Sequence, residues 1–246
     1  MPPAFFEHLP MYGLLIALAI LVGVWLCGKN TARLSLPRDA GLDVALWGVP
    51  CALIGARLYY VVFRWADYAS DPLSILRVWE GGLAIYGGVI GGLIGVFLLS
   101  RRRKVPFWAL VDMTIPSLLL GQAIGRWGNF FNQEAYGNPV SDPRLQFFPY
   151  AVLTQGQWYQ ATFFYESMWD LAGFFILWFT RKKWRLGDGL PAYMIVYGLG
   201  RVWIEGLRSD SLYIPGTAVR VSQVLSGLMV LAGALWFLLR KRRARA

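Results

Sequence analysis

The sequence predicts an all-α polytopic membrane protein with seven transmembrane helices and a small extracytoplasmic cap. Three observations lead to this fold class. Of the 246 residues, 57% are hydrophobic and only 15% are charged, a composition typical of membrane proteins. Apolar segments long enough to cross a bilayer recur along the whole chain. Basic residues cluster after every second one of these segments.

Seven apolar segments each have the ~17–25 residues that a membrane-spanning helix needs. They cover 11–28, 43–63, 83–100, 107–127, 162–180, 189–206 and 220–239. Two longer hydrophilic segments separate them on one side: a periplasmic-side loop at 64–82, and 128–161, which is rich in Pro, Gln, Asn and Tyr. We expect a single membrane domain over 1–246, with 128–161 forming the extracytoplasmic cap.

The distribution of basic residues predicts the orientation. Cytoplasmic loops of membrane proteins carry an excess of Lys and Arg. Sixteen of the 24 basic residues lie in clusters that follow the first, third, fifth and seventh segments, so we expect an outer N-terminus and a cytoplasmic C-terminus. This topology accounts for the basic excess without a nucleic-acid partner. The clusters are Lys29, Arg33 and Arg38; Arg101, Arg102, Arg103 and Lys104; Arg181, Lys182, Lys183 and Arg185; Arg240, Lys241, Arg242, Arg243 and Arg245.

The sequence offers little material for metal or disulfide chemistry. Cys27 and Cys51 lie within apolar segments and lack zinc-site spacing, so they are predicted to be packing residues. His8 is the only histidine, which excludes a metal site with several histidines. We therefore expect no metal and no cofactor.

Polar residues from six segments are predicted to gather at the outer ends of their helices. A charge within the hydrocarbon costs at least ~2.5 kcal/mol, so these residues should pair, face the bundle interior or line a cavity. Structural ion pairs are one interpretation, and the four-residue spacing of Arg201 and Glu205 suits such a pair. The other is an anion site, favoured because several arginines share one depth with too few carboxylates to neutralise them. Guanidinium groups suit phosphate, and a lipid headgroup supplies phosphate at that depth.

Two motifs concentrate these features. "GRWGNFFNQEAYG", Gly125 to Gly137, is expected to end the fourth helix, with Gly125 and Gly128 leaving space beside a phosphate-binding Arg126, and with Asn129 and Asn132 on the same helical face. "GGLAIYGGVIGGLIG", Gly81 to Gly95, holds small-xxx-small patterns such as Gly88/Gly92 and Gly91/Gly95, which favour close helix packing. The glycines beside Tyr86 could also leave room for a headgroup.

"GRWGNFFNQEAYG" resembles the signature of bacterial phosphatidylglycerol:prolipoprotein diacylglyceryl transferases. Five further stretches follow in that family's order and extend the resemblance over nearly the whole chain: "MYGLL", "GARLYYVVF", "VWEGGLAIYGG", "YES" and "YGLGRVWIEGLRSD". The resemblance implies a seven-span enzyme of the bacterial plasma (inner) membrane. It would move a diacylglyceryl group from phosphatidylglycerol to the lipobox cysteine in the signal peptide of a preprolipoprotein, forming a thioether and releasing glycerol phosphate.

The resemblance also implies roles for individual residues. Arg126 and Arg201 match the family's essential arginines, and the other matching motif positions are Tyr12, Arg57, Asn129, Glu134, Gly137, Glu166 and Glu205. Asn132 and Arg208 join the substrate-binding candidates. Many members have a histidine where this chain has Tyr86, so a histidine base is not available here. Tyr86, Glu134 and Glu205 remain alternative acceptors of the thiol proton.

Two other functions remain as alternatives. A transporter for an anionic substrate would place polar groups near mid-membrane and show repeat symmetry, whereas here the polar groups gather toward one face and no repeat is visible. A non-catalytic scaffold would use the arginines only to bind phospholipid. Product formation by purified protein separates the enzyme from both alternatives.

Overall fold

A computed structural model describes residues 11–214 and 216–243, and gives this part of the chain a predominantly helical fold. His8 and Arg245, which enter the predictions above, lie outside the described residues. The α-helices are α1 Met11–Asn30, α2 Ala40–Phe63, α3 Trp65–Tyr68, α4 Ile85–Arg103, α5 Phe107–Phe131, α6 Thr162–Thr180, α7 Gly189–Glu205 and α8 Val221–Arg243. Two strands, β1 Ala151–Thr154 and β2 Gln157–Gln160, lie between α5 and α6.

Each of the seven predicted spans corresponds to one long helix. Five of these helices, α1, α2, α4, α5 and α8, are long and apolar enough to cross a membrane. The helix α6 has 19 residues and α7 has 17. The prediction of a helical membrane protein is therefore confirmed, while the crossing of the bilayer by α6 and α7 and the orientation of the whole set stay predictions.

The predicted cap segment adds one β-hairpin to the helical fold, a feature absent from the sequence-based prediction. The strands β1 and β2 pair antiparallel, with Ala151 opposite Gln160. Gln155 and Gly156 form the two-residue turn, with φ angles of 50° and 80°. Positive φ at both positions is what a type I′ turn requires, and such turns match the twist of paired strands.

The described residues form two compact units. One is Val24–Met113, and the other combines the described residues up to 23 with those from 114 onward. Within Val24–Met113, α2 and α4 make close backbone contact. A Cβ on Gly95 would lie 2.6 Å from a carbonyl oxygen of α2, and one on Gly87 or Gly91 would overlap backbone atoms of that helix. Added Cβ atoms on Gly88 and Gly92 would instead meet ordinary contacts at 3.7 Å and 3.6 Å. The predicted close packing is thus confirmed for Gly91 and Gly95, and Gly87, not Gly88, continues that face.

Both cysteines are packing residues, as predicted. Cys27 is buried in an apolar cluster with Leu99, Leu110 and Met113. Cys51 lies on the α2 face that meets α4, where its Cβ is 2.9 Å from the position of a Cβ built on Gly95. Neither cysteine forms a disulfide among the described residues.

In the second unit, hydrogen bonds join α6 and α7 to their neighbours. The Trp169 indole N–H on α6 donates to the Val196 carbonyl on α7 at 2.8 Å. The Gln223 amide on α8 donates to the Val202 carbonyl, also on α7, at 2.9 Å. Together these hydrogen bonds attach α7 to α6 and to α8. The helix α7 carries Arg201 and Glu205, two of the candidate site residues.

Candidate active site

Four charged side chains from three helices form one ionic network in the second unit, which we call the arginine–carboxylate cluster. Arg126 on α5 contacts Glu166 on α6, with Nη2 2.7 Å from Oε1. Arg201 on α7 donates from Nη1 to both oxygens of Glu166, at 3.0 Å to Oε1 and 3.0 Å to Oε2. Arg201 also pairs with Glu205 one turn further along α7, at 2.6 Å. The predicted pair of Arg201 and Glu205 is confirmed, and Glu166 bridges the two arginines.

The cluster lies close to one end of each helix that contributes to it. Arg126 comes five residues before the end of α5, Glu166 is the fifth residue of α6, and Arg201 comes four residues before the end of α7. At a rise of about 1.5 Å per residue, each lies within roughly 8 Å of its helix end. The cluster is therefore away from the middle of these helices.

The charges in the cluster balance, which differs from the prediction of too few carboxylates. Two guanidinium groups meet two carboxylates, and both carboxylates are buried, with 4% and 2% of their side-chain surface exposed. The arginines are more accessible, at 22% for Arg126 and 14% for Arg201. A guanidinium group carries five N–H donors on three nitrogens, so Arg126, which uses Nη2, and Arg201, which uses both Nη atoms, keep donors that an anion can approach.

Hydrogen bonds beside the cluster hold α5 against α6. The Trp127 indole N–H donates to the Ser167 hydroxyl at 3.2 Å, and that hydroxyl donates to the Ala123 carbonyl at 2.8 Å. Trp127 and Ser167 directly follow Arg126 and Glu166 in sequence. This chain of bonds therefore sets the helix spacing at the level where the ion pair forms.

The end of α5 has the geometry that orients Glu134. The Gln133 backbone has a φ of 53°, its N–H donates to the Phe130 carbonyl, and the Glu134 N–H donates to the Asn129 carbonyl. These bonds form a Schellman motif, which terminates a helix. The Asn129 and Asn132 side-chain amides both donate to Glu134 Oε1 at 3.1 Å. The predicted helix end is confirmed, but the two asparagines bind the Glu134 carboxylate and were expected beside Arg126.

Two glycines of the same motif differ in what surrounds them, and only Gly128 departs from the prediction. A Cβ on Gly128 would overlap the ring of Tyr12 from α1, so Gly128 makes room for that ring. A Cβ on Gly125 would meet nothing within 4 Å, so this residue borders open space. Tyr12 itself is 45% exposed.

Gly137 and Arg208 lie where the cap meets the segment after α7. The two residues form a backbone bridge, and the Gly137 N–H donates to the Gln160 carbonyl at 3.0 Å. A Cβ on Gly137 would lie 2.7 Å from the Gln160 Cβ, so only glycine fits. The Arg208 guanidinium makes a two-pronged contact with the Asp210 carboxylate, at 2.9 Å and 2.7 Å. Burial opposes ionisation of Asp210, but the Arg208 hydrogen bond and charge hold its pKa below the usual value.

Arg57 and Tyr86 belong to the unit Val24–Met113. The Arg57 guanidinium is 5% exposed and donates to five backbone carbonyls of the 64–82 region, at 2.6–3.3 Å: those of Ser74, Ile75, Arg77, Gly81 and Gly82. This arrangement orders the loop, and a contact of Arg57 with substrate stays a prediction. Tyr86 is the second residue of α4 and is 45% exposed, with its ring centroid 6.4 Å from that of Tyr59.

Three residues at the cluster were not selected from the sequence. Trp127 and Ser167 carry no charge and read as ordinary packing residues. Asp170 is buried on α6 one turn after Glu166, and its four-residue spacing from Glu166 is the signal that the sequence carries. Within 11–214 and 216–243, no group of three or more His, Cys, Asp or Glu is placed to hold a metal ion.

These features define a polytopic membrane protein with a buried arginine–carboxylate site near the ends of three helices. The profile of the prolipoprotein diacylglyceryl transferase family matches residues 5–239. A protein of Geobacillus kaustophilus is 44% identical over 239 residues, covering 94% of this chain and 88% of its own. One of Halalkalibacterium halodurans is 41% identical, covering 96% and 83%, and one of Bacillus cereus is 42% identical, covering 96% and 89%. All three are named phosphatidylglycerol–prolipoprotein diacylglyceryl transferase. The chain belongs to the prolipoprotein diacylglyceryl transferase family, which confirms the resemblance.

Proposed function

We propose that this protein transfers the diacylglyceryl group of phosphatidylglycerol to the cysteine thiol of a prolipoprotein lipobox. The names of relatives that align with 94–96% of the chain support this activity. Both substrates are held in membranes, which agrees with a helical membrane protein. We further propose that the protein lies in the bacterial plasma membrane with the arginine–carboxylate cluster toward the extracytoplasmic side, because the basic clusters follow α1, α4, α6 and α8.

The observation that carries the phosphate-binding role is the bridging position of Glu166. Its two oxygens contact Arg126 at 2.7 Å and Arg201 at 3.0 Å. Two guanidinium groups that reach one carboxylate are close enough to reach one phosphate, which offers similarly spaced oxygens. The lipid phosphate would bind on the accessible side of the arginines, with Glu166 keeping the two groups together while the site is empty of lipid.

The chemistry is a nucleophilic substitution on phosphatidylglycerol. The attacked carbon is the one in the acylated glycerol unit that carries the phosphate ester. The thiol sulfur forms a bond to this carbon, the carbon–oxygen bond to phosphate breaks, and its electron pair leaves with glycerol phosphate. Negative charge grows on the departing oxygen, so N–H donors of Arg126 and Arg201 aimed at the phosphate lower the barrier. The same positive field lowers the pKa of an approaching thiol from about 8.5, which raises the fraction of the reactive thiolate.

Of the two glutamates among the candidate proton acceptors, Glu134 is the one that takes no part in a buried ion pair. Glu205 is 2% exposed in its side chain and paired with Arg201, so a proton there would break a buried ion pair. Glu134 is exposed, and its Oε1 accepts hydrogen bonds from the neutral amides of Asn129 and Asn132. Protonation of Glu134 therefore disturbs no buried charge. The part of Tyr86 stays a prediction, to be tested with Tyr86→Phe.

The test is a transfer assay with purified protein in detergent, phosphatidylglycerol and a cysteine-containing lipobox peptide. The expected result is a gain of one diacylglyceryl unit in the peptide mass. Arg126→Ala and Arg201→Ala are expected to reduce the rate by about 10²-fold or more, as the loss of one transition-state donor does elsewhere. Arg144→Ala, at an exposed position of the cap, is the matched control and should keep full activity.

Full activity in both cluster variants would overturn the site assignment. Phosphatidylglycerol binding without any mass gain would overturn the activity and favour a phospholipid-binding scaffold. Movement of an anionic solute across vesicles without product would favour the transporter.

A further inference from the structure

Asp170 is a buried acid that the proposed reaction does not use. It lies on α6, one turn after Glu166, and is 1% exposed. Neither of its carboxylate oxygens has a hydrogen-bond partner among the described residues. Burying an ionised carboxylate without a partner is strongly unfavourable, so this position favours the neutral acid.

The charges around Asp170 lead to the same conclusion. The groups close enough to interact with its charge come from three helices: Arg126 of α5, Glu166 of α6, and Arg201, Tyr193 and Tyr197 of α7. The two arginines are already balanced by Glu166 and Glu205. An ionised Asp170 would therefore give the site an excess negative charge. A lipid phosphate adds a further negative charge, so it binds more favourably when this acid is neutral.

We propose that Asp170 carries a proton in the resting protein and that its ionisation, as the pH rises, weakens phosphate binding at the arginine–carboxylate cluster. This inference rests on the proposed function, because the anion is taken to be the lipid phosphate. Asp170 acts here through Arg126 and Arg201 and not by touching substrate, so it is a positioning residue. By linkage, phosphatidylglycerol binding raises the affinity of Asp170 for its proton by the same factor.

The test measures phosphatidylglycerol binding in mixed micelles with no acceptor peptide, so that no reaction follows. The titration runs from about pH 6 to 9, below the ~10 at which exposed tyrosines ionise. Coupled sites typically change each other's affinity by about 5–150-fold, so the unchanged protein should lose at least about fivefold in affinity as Asp170 ionises. Asp170→Asn, which cannot ionise, should keep the neutral-pH affinity across the range.

Infrared spectroscopy supplies a readout that does not depend on binding. The unchanged protein at neutral pH should show the C=O stretch of a protonated carboxylic acid, and Asp170→Asn should lack this band. Asp39→Asn is the matched control. Asp39 directly precedes α2, is exposed and pairs with Arg103. This control should keep both the band and the pH dependence. Because this band is measured on the unchanged protein, its absence would count against a protonated Asp170 even if the variant failed to fold.

Two results would overturn the proposal. Tighter binding by Asp170→Asn than by the unchanged protein at about pH 6 would mean that Asp170 is already ionised at the acid end of the range. An unchanged pH dependence in this variant would mean that another group controls the affinity. A protein that binds phosphatidylglycerol as expected but never modifies the lipobox peptide would contradict the proposed function and leave the role of Asp170 intact.

Discussion

Replacing Glu166 by glutamine removes the charge that Arg126 and Arg201 share while keeping the size of the side chain. Removing one partner from a buried ion pair costs about 3–5 kcal/mol, because the other charge stays buried without compensation. Since 22% of the Arg126 side chain is exposed, water compensates it in part, and we expect the lower end, about 3 kcal/mol. For a chain of this length, 1 kcal/mol shifts the melting temperature by about 2–4 °C, so the expected decrease is roughly 6–12 °C.

The assay is thermal unfolding of the purified protein in detergent, followed by circular dichroism with and without phosphatidylglycerol. Glu166→Gln leaves the two guanidinium groups with more positive charge to be balanced. Phosphatidylglycerol should therefore raise the melting temperature of this variant more than that of the unchanged protein, because a ligand stabilises the state it binds.

Glu80→Gln is the matched control, with the same chemical change at an exposed pair. Glu80 lies 3.4 Å from Arg77 and 52% of its side chain is exposed. Exposed ion pairs contribute about 0–1 kcal/mol, so the control should unfold within a few degrees of the unchanged protein. A Glu166→Gln protein with the same melting temperature as this control would refute the bridging role of Glu166.

Three further predictions concern other parts of the chain. Gly91→Ala should lower the melting temperature measurably and Gly92→Ala should not, because only the first added methyl group would overlap α2 backbone atoms. Arg57→Lys should make the 64–82 loop more sensitive to trypsin, because lysine has three donors for the five carbonyls that arginine binds. Asp210 has a lowered pKa in the folded protein, so its contribution to stability is present above the unfolded pKa of about 3.9 and is lost as the pH falls through the folded value. The melting temperature of Asp210→Asn should thus lie below that of the unchanged protein at pH 7, with the difference shrinking in acid; a constant difference would contradict the assigned pairing with Arg208.

Hydropathy and helix length were sufficient to predict where the long helices lie. All seven predicted segments match helices because a run of apolar residues of bilayer length has few other stable conformations in a membrane. Charge in an apolar context also identified Arg126, Arg201 and Glu205, and the four-residue spacing gave one ion pair correctly.

Contacts that depend on helix rotation or on the backbone were beyond the sequence. Whether Glu166 reaches one arginine or two depends on how α5, α6 and α7 are turned toward one another. In a run of paired glycines, the sequence does not show which glycine of each pair faces the partner helix, so the pattern predicts Gly88 where the structure uses Gly87. The acceptors of Arg57 are main-chain carbonyls, which every residue possesses, so no side-chain pattern could indicate them.

The backbone contact between α2 and α4 has a consequence for the path of the lipid. Where the positions of Gly87, Gly91 and Gly95 have no room for a methyl group, there is none for an acyl chain. Separating the two helices would expose their tightly packed faces along more than two turns. Phosphatidylglycerol therefore has no path between α2 and α4 along this stretch.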